Sequence, residues 1–283
     1  MPAQLPEPPR KVSAQDQASF EGAPGAVEDL NQDGAKRLFG RRRQRRTWVQ
    51  GGSSVARWRT DLLGWTLVSL AAGILVSVTL NQVLPPAIGG WAAPAVLWLA
   101  LLVPVVVAFN RSVPRPLLRF RATDLLYGLV LGVVLRLVQG WVARAAGGSN
   151  TWPSYVTLDG QLPTNWWFGE LASGVVISPV LEEFFFRGVL LVVTYSVVRR
   201  FVGAGVGMFV SIIVSTVLFV LAHLVTVGLG WDMALTLGLV GLTCSLLVLL
   251  TGRIWGAVLV HVTFNASYVA LAVIGTVVGV GGA

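Results

Sequence analysis

Three short stretches of an otherwise apolar chain carry side chains able to move protons. They are Glu182-Glu183-Phe184-Phe185-Phe186-Arg187, Phe219-Val220-Leu221-Ala222-His223 and His261-Val262-Thr263-Phe264-Asn265. Glu183 and Arg187 are four apart, so on a helix they stack on one face and can neutralise each other. Glu182 lies about 100° round the same helix from Glu183 and is the carboxylate left free. His261 and Asn265 share the four-residue relation, and so do Phe219 and His223, which lets an aromatic ring pack beside the imidazole. A carboxylate, two imidazoles and a carboxamide suit the hydrolysis of an amide. The carboxylate takes a proton from water, an imidazole shares that proton or holds the water, and further donors stabilise the oxyanion. The same groups can instead hold a divalent metal that acidifies the water; spacing leaves both routes open.

The bland alternatives are specific. A lone Glu–Arg pair in a membrane helix is more often a structural staple than a site, and one buried histidine is usually a packing residue. Yet both histidines of the chain, Glu182 and Glu183, and a His/Asn pair at helical spacing fall together in its C-terminal half. Ionisable groups inside a membrane are costly unless paired or hydrated, so their concentration there points to a functional cluster. Two other classes stand beside an enzyme: a non-enzymatic scaffold or immunity-type protein that keeps the cluster for folding, and a transporter using Glu182 and His223 as a proton relay. No repeated pair of broken helices of the inverted-repeat kind supports transport.

The elements that must position these residues are membrane spans. Of 283 residues, 54% are hydrophobic and 12% charged, with a mean hydropathy of +0.72, whereas a soluble domain carries about 25% charged residues. Spans of about 20 apolar residues are predicted at Leu62–Leu80, Trp91–Phe109, Leu125–Ala143, Trp166–Val198, Phe201–Trp231, Met233–Gly252 and Ile254–Val280. The expected fold is therefore all-α, a polytopic membrane helix bundle of about seven transmembrane helices over residues 58–283, with a catalytic core at about 166–280. Residues 1–57 read as a disordered basic cytosolic tail, in which Lys36–Arg46 holds seven basic residues that suit anionic headgroups. The first 35 residues lack the apolar stretch of a secretory signal.

Arginines set the orientation. Arg57 and Arg59, then Arg111, Arg115, Arg119 and Arg121, then Arg199 and Arg200, then Arg253 fall in alternate loops. The positive-inside rule then places the N-terminus in the cytosol and the C-terminus outside a cell membrane. The net charge of +8 follows from those loops rather than from nucleic-acid binding. The expected partners are membrane lipids and a protein or peptide substrate; oligomeric state is not legible. Cys244, the only cysteine, reads as a small buried hydrophobe. Arg136 and Arg144 are expected to pair with Glu170 or to snorkel, Trp166 and Trp167 to form an aromatic belt at the outer boundary, and Asp61 and Asp124 to start helices.

The three stretches, in this order and on three late spans, resemble the CAAX-protease and bacteriocin-processing family of intramembrane proteases. Its pattern of E-E-x-x-x-R, F-x-x-x-H and H-x-x-x-N is met by Glu182, Glu183 and Arg187, by Phe219 and His223, and by His261 and Asn265. Phe186-Arg187-Gly188 also matches the family's ending of the first motif. The resemblance covers about Trp166–Val280. It implies an intramembrane endopeptidase in which Glu182 activates water with help from His223. It further implies that His261 and Asn265 hold the oxyanion or the water, while Glu183, Arg187 and Phe219 support the site. It leaves open a zinc enzyme, with Glu182, His223 and His261 as candidate ligands, or a metal-free glutamate mechanism.

Overall fold

The computed structural model describes Trp48, Val49, Val55, Arg57, Trp58 and residues 60–148, 153–157 and 161–278. The basic stretch at Lys36–Arg46, and nearly all of the segment read as a tail, lie outside the described residues. Those described are built on helices: α1 (Thr60–Val83), α2 (Pro86–Arg111), α3 (Ala122–Ala145), α4 (Trp167–Val227), α5 (Trp231–Thr251) and α6 (Trp255–Val278). All six are long and apolar enough to cross a membrane. Their outward faces present large apolar side chains such as Leu75, Leu99, Leu129, Phe209 and Leu250, which lipid can cover and water cannot. The chain is a multi-pass helical membrane protein.

The count of six, against about seven expected, comes from α4. This helix runs for 61 residues, but Gly203 inside it has φ +84° and ψ 172°, a backbone that only glycine adopts without strain. The chain doubles back there. Ser215 Oγ donates to the Phe186 carbonyl at 3.0 Å, and a Cβ on Gly207 would meet Arg199 at 2.9 Å. The first limb (167–202) and second limb (204–227) thus form an antiparallel hairpin, its turn three residues beyond Arg200 of the loop expected between the fourth and fifth spans. Counted as limbs, the passes number seven.

The first limb is not a uniform α-helix. Trp167–Ile177 and Phe184–Leu190 are π-helical, flanking an α-helical turn at Ser178–Glu183. Pro179 accounts for the first stretch: it has no N–H for the carbonyl four residues back, and its ring crowds that carbonyl. The backbone N–H of Ser178 instead reaches the carbonyl of Ser173, five residues back.

Close approach of α6 to α3 fixes the depth of His261. Gly128 and Gly132 lie four apart on α3, and a Cβ added to them would meet Leu259 at 2.3 Å and Thr263 at 2.6 Å respectively. Small residues at this spacing let membrane helices touch backbone to backbone. Arg136 extends the same seam. It is buried rather than snorkelling, and donates to the Phe264 carbonyl (2.6 Å), Ser267 (3.2 Å) and Gln139 (2.9 Å), with its guanidinium 3.9 Å from the Phe264 ring. Glu170 is not among these partners.

One end of the bundle is tied together by the segments carrying most arginines. Asp61 pairs with Arg111 at 2.7 Å and Asp124 with Arg253 at 2.7 Å. Trp58 donates to the Ser112 carbonyl and Trp255 to the Leu118 carbonyl. Trp48 is buried there: its indole donates to the Gly252 carbonyl, while Tyr195 and Arg199 both donate to the carbonyl of Val49. Gly252 therefore lies level with Tyr195, and the first limb continues eight residues to Gly203, about 12 Å at 1.5 Å per residue. The α4 hairpin overhangs the α5–α6 turn. This overhang accounts for most of the offset between Glu182, 21 residues before Gly203, and His261, nine residues after Gly252.

At the other end, Trp167 is exposed as a belt residue would be, but Trp166 is buried edge-on against Tyr155 at 5.6 Å. Cys244 is fully buried, its thiol 3.6 Å from the Ala257 carbonyl.

Candidate active site

The short α-helical turn between the two π-helical stretches carries both glutamates. Glu182 and Glu183 leave it in different directions, as their angular separation requires. Glu183 points into the protein, where Arg187 Nη1 donates to its Oε1 at 3.0 Å; both side chains have 0% exposure. His261 Nδ1 lies 3.0 Å from the same oxygen. A carboxylate only accepts, so Nδ1 carries the hydrogen and Nε2 is turned away from Glu183.

Glu182 points toward the second limb. Ser178, one turn earlier, donates to its Oε1 at 2.5 Å and receives the indole N–H of Trp98 at 3.4 Å. The other oxygen, Oε2, is buried and has no hydrogen-bond partner among the described residues. It stands 3.6 Å from His223 Nε2 and 3.9 Å from His261 Nε2. His223 Nδ1 donates to the Phe219 carbonyl at 2.9 Å, one turn back on its own helix. In the neutral imidazoles, therefore, both Nε2 atoms present lone pairs toward Glu182 Oε2. Three acceptors converge where a molecule rich in hydrogen-bond donors, such as water, completes the set.

Phe219 divides this site from its supports. Its ring centroid is 4.5 Å from His223, 5.7 Å from His261 and 5.4 Å from Phe186, and the Arg187 guanidinium sits 4.4 Å from it. A cation over an aromatic face is stabilised there, and the ring keeps Arg187 with Glu183. Gly241 leaves room for the guanidinium: a Cβ there would lie 3.1 Å from Arg187 Nη2.

Asn265 lies one turn beyond His261 on α6, but its Nδ2 donates to the Gly174 carbonyl at 2.8 Å. It ties α6 to the first π-helical stretch, at a residue that lines the same cavity as Glu182 and His223. The structure thus brings Glu182, Glu183, Arg187, Phe219, His223 and His261 together around Oε2 and its supports, with Asn265 at the edge. Ser178 and Trp98 were not singled out from the sequence. Ser178 had a signal, its four-residue spacing from Glu182; Trp98, on a distant helix, had none.

Zinc held by two imidazoles and a carboxylate sets its ligands roughly 3.4 Å apart, as follows from bond lengths of about 2.0–2.1 Å. The separations of 3.6 and 3.9 Å are wider, and among the described residues no group of three His, Cys, Asp or Glu side chains is placed to hold a metal ion. As placed, Glu182, His223 and His261 do not close round a metal.

A helical bundle with a carboxylate and two imidazoles meeting inside it defines a multi-pass membrane protein with an embedded polar site. Residues 164–267, just over a third of the chain, match the family described as Type II CAAX prenyl endopeptidase, Rce1-like. The match contains all three motifs and bears out, over that segment, the resemblance to the CAAX-protease and bacteriocin-processing proteases. No curated protein and no solved structure matches the chain.

Proposed function

We propose that the protein is an intramembrane endopeptidase that hydrolyses a peptide bond with water activated by Glu182 and His223. The observation that carries this reading is the unpartnered Glu182 Oε2 facing two imidazole Nε2 atoms at 3.6 and 3.9 Å. Water held there gives one proton to Oε2 while its oxygen bonds to the substrate carbonyl carbon. The carbonyl becomes an oxyanion. When the intermediate collapses the C–N bond breaks, and the proton on Glu182 passes to the leaving amine.

His261 is fixed through its Nδ1–H on Glu183, and its Nε2, turned toward Glu182 Oε2, helps to hold the attacking water. Glu183 and Arg187 then act through His261, as positioning residues. Asn265 holds the Gly174 backbone beside the cavity. The positive-inside rule supports a cytosolic N-terminus and an extracytoplasmic C-terminus.

The test is a comparison of protein N-termini in membranes of cells making the wild-type chain or Glu182→Gln at equal abundance. New N-termini present with wild type and missing with the variant support the reading; identical sets of N-termini contradict it.

A further inference from the structure

We propose that substrate enters the site from the membrane face opposite the arginine-rich loops, as an extended segment without charged side chains; the inference rests on the protease reading above. The cavity that reaches Glu182 and His223 has a volume of about 570 Å³, within the roughly 300–1,000 Å³ usual for small-ligand clefts. Such a cavity admits a few residues of extended chain and excludes a folded domain.

Burial along this cavity has a direction. Its deep lining residues, Leu70, Leu101 and Ala222, are buried, whereas Asn81, Gln82, Gly90 and Gly228 are exposed. The exposed ones stand at the end of α1, the start of α2 and the end of the second limb of α4. All three points lie at the end of the bundle opposite Asp61–Arg111, Asp124–Arg253 and the Gly203 turn. Toward the arginine-rich end the way is closed. Arg187 and Glu183 have no exposure, and Phe185, Phe186 and the run Val189–Val193 are between 0 and 1% exposed. The α4 hairpin seals that side, and Trp48 packs beneath it against Tyr195.

The lining also selects. Among the described residues Glu182 and His223 are its only ionisable side chains; the remainder of the lining is apolar, Gly, Ser, Thr, Asn or Gln. A charged substrate side chain would enter without a counterion at the cost of its hydration, whereas the amides of Asn81 and Gln82 at the mouth can pair with an extended backbone. By the positive-inside rule the mouth faces away from the cytosol. The substrate class is then an uncharged stretch of a membrane or exported protein next to the outer leaflet.

The experiment uses the full chain with Cys244→Ala as background and single cysteines at Gln82, Ser77 and Arg115. The probe is a membrane-impermeant maleimide applied to right-side-out and inside-out membranes. Gln82→Cys and Ser77→Cys are expected to react from the side opposite Arg115→Cys, Ser77→Cys more slowly. Reaction of both from the side of Arg115→Cys overturns the proposal, and so does failure of Gln82→Cys to react from the opposite side. A bulky maleimide on Gln82→Cys should lower cleavage at least tenfold and on Arg115→Cys leave it unchanged; equal cleavage in both also counts against the route. Labelling needs no turnover, so Glu182→Gln protein should label like wild type. A wrong entry side and a wrong protease assignment therefore give different results.

Discussion

His261 Nδ1 and Glu183 Oε1 stand 3.0 Å apart, on an oxygen that Arg187 also holds at 3.0 Å. One buried carboxylate thus orients an imidazole from α6 and neutralises a guanidinium from α4. Glu183→Gln would weaken both contacts and leave Arg187 without a counter-charge. Breaking a buried pair in this way costs about 3–5 kcal/mol. Detergent-solubilised Glu183→Gln should therefore unfold at a markedly lower temperature and accumulate to lower levels than wild type. A Tm unchanged from wild type would mean that the Glu183 cluster does not hold the bundle together.

That contact also marks the limit of what was legible in the sequence. The spacing of four between Glu183 and Arg187 is a property of one helix, and the pair forms as expected. The turn near Gly203 was legible because Arg199 and Arg200 separate two apolar runs, Gly188–Val198 before them and Phe201–Val227 after. The bond from Glu183 to His261 spans 78 residues and depends on how far the α4 hairpin overhangs the α5–α6 turn, which no local pattern encodes. Arg136 was misjudged for a related reason. Its acceptors are a main-chain carbonyl and two uncharged side chains, and a search for opposite charge passes over them. The π-helical stretch before Glu182 follows from Pro179, and hydropathy registers neither it nor the one after.

Ser178 holds one oxygen of Glu182 and leaves the other facing the imidazoles. Ser178→Ala should keep the fold and lower cleavage by roughly ten- to a hundredfold. This is the rate equivalent of the roughly 1.5–3 kcal/mol carried by a hydrogen bond to a charged group. Ser178→Thr, which keeps the hydroxyl, should recover most of the activity. Equal rates for alanine and serine would remove Ser178 from the site.

The α3–α6 seam makes a steric prediction. Gly128→Ala places a Cβ 2.3 Å from Leu259 Cβ, whereas Gly140 has nothing within 4 Å of a new Cβ. Overpacking of this kind costs about 1–3 kcal/mol. Thermal unfolding should show Gly128→Ala destabilised and Gly140→Ala close to wild type, and the displaced His261 should lower activity in the former alone. Equal stability of the two variants would show that the helices do not touch at Gly128.

Because Glu182, His223 and His261 are set wider than zinc ligands, cleavage should survive strong chelators, and purified active protein should contain far less than one equivalent of zinc by elemental analysis. Close to one equivalent, with activity lost on its removal and restored by zinc alone, would reverse this expectation and require the three side chains to close by several tenths of an ångström.

The central claim is that the Glu182 carboxylate takes the proton from the attacking water. Once a cleaved bond has been mapped, its hydrolysis by purified wild-type and Glu182→Gln protein is the most direct measurement, with Tm recorded on the same samples. A fall in kcat on the order of 10²–10⁴ is expected, the span assigned to a lost general base, with Tm near that of wild type. Cleavage by Glu182→Gln within a few-fold of wild type would contradict it.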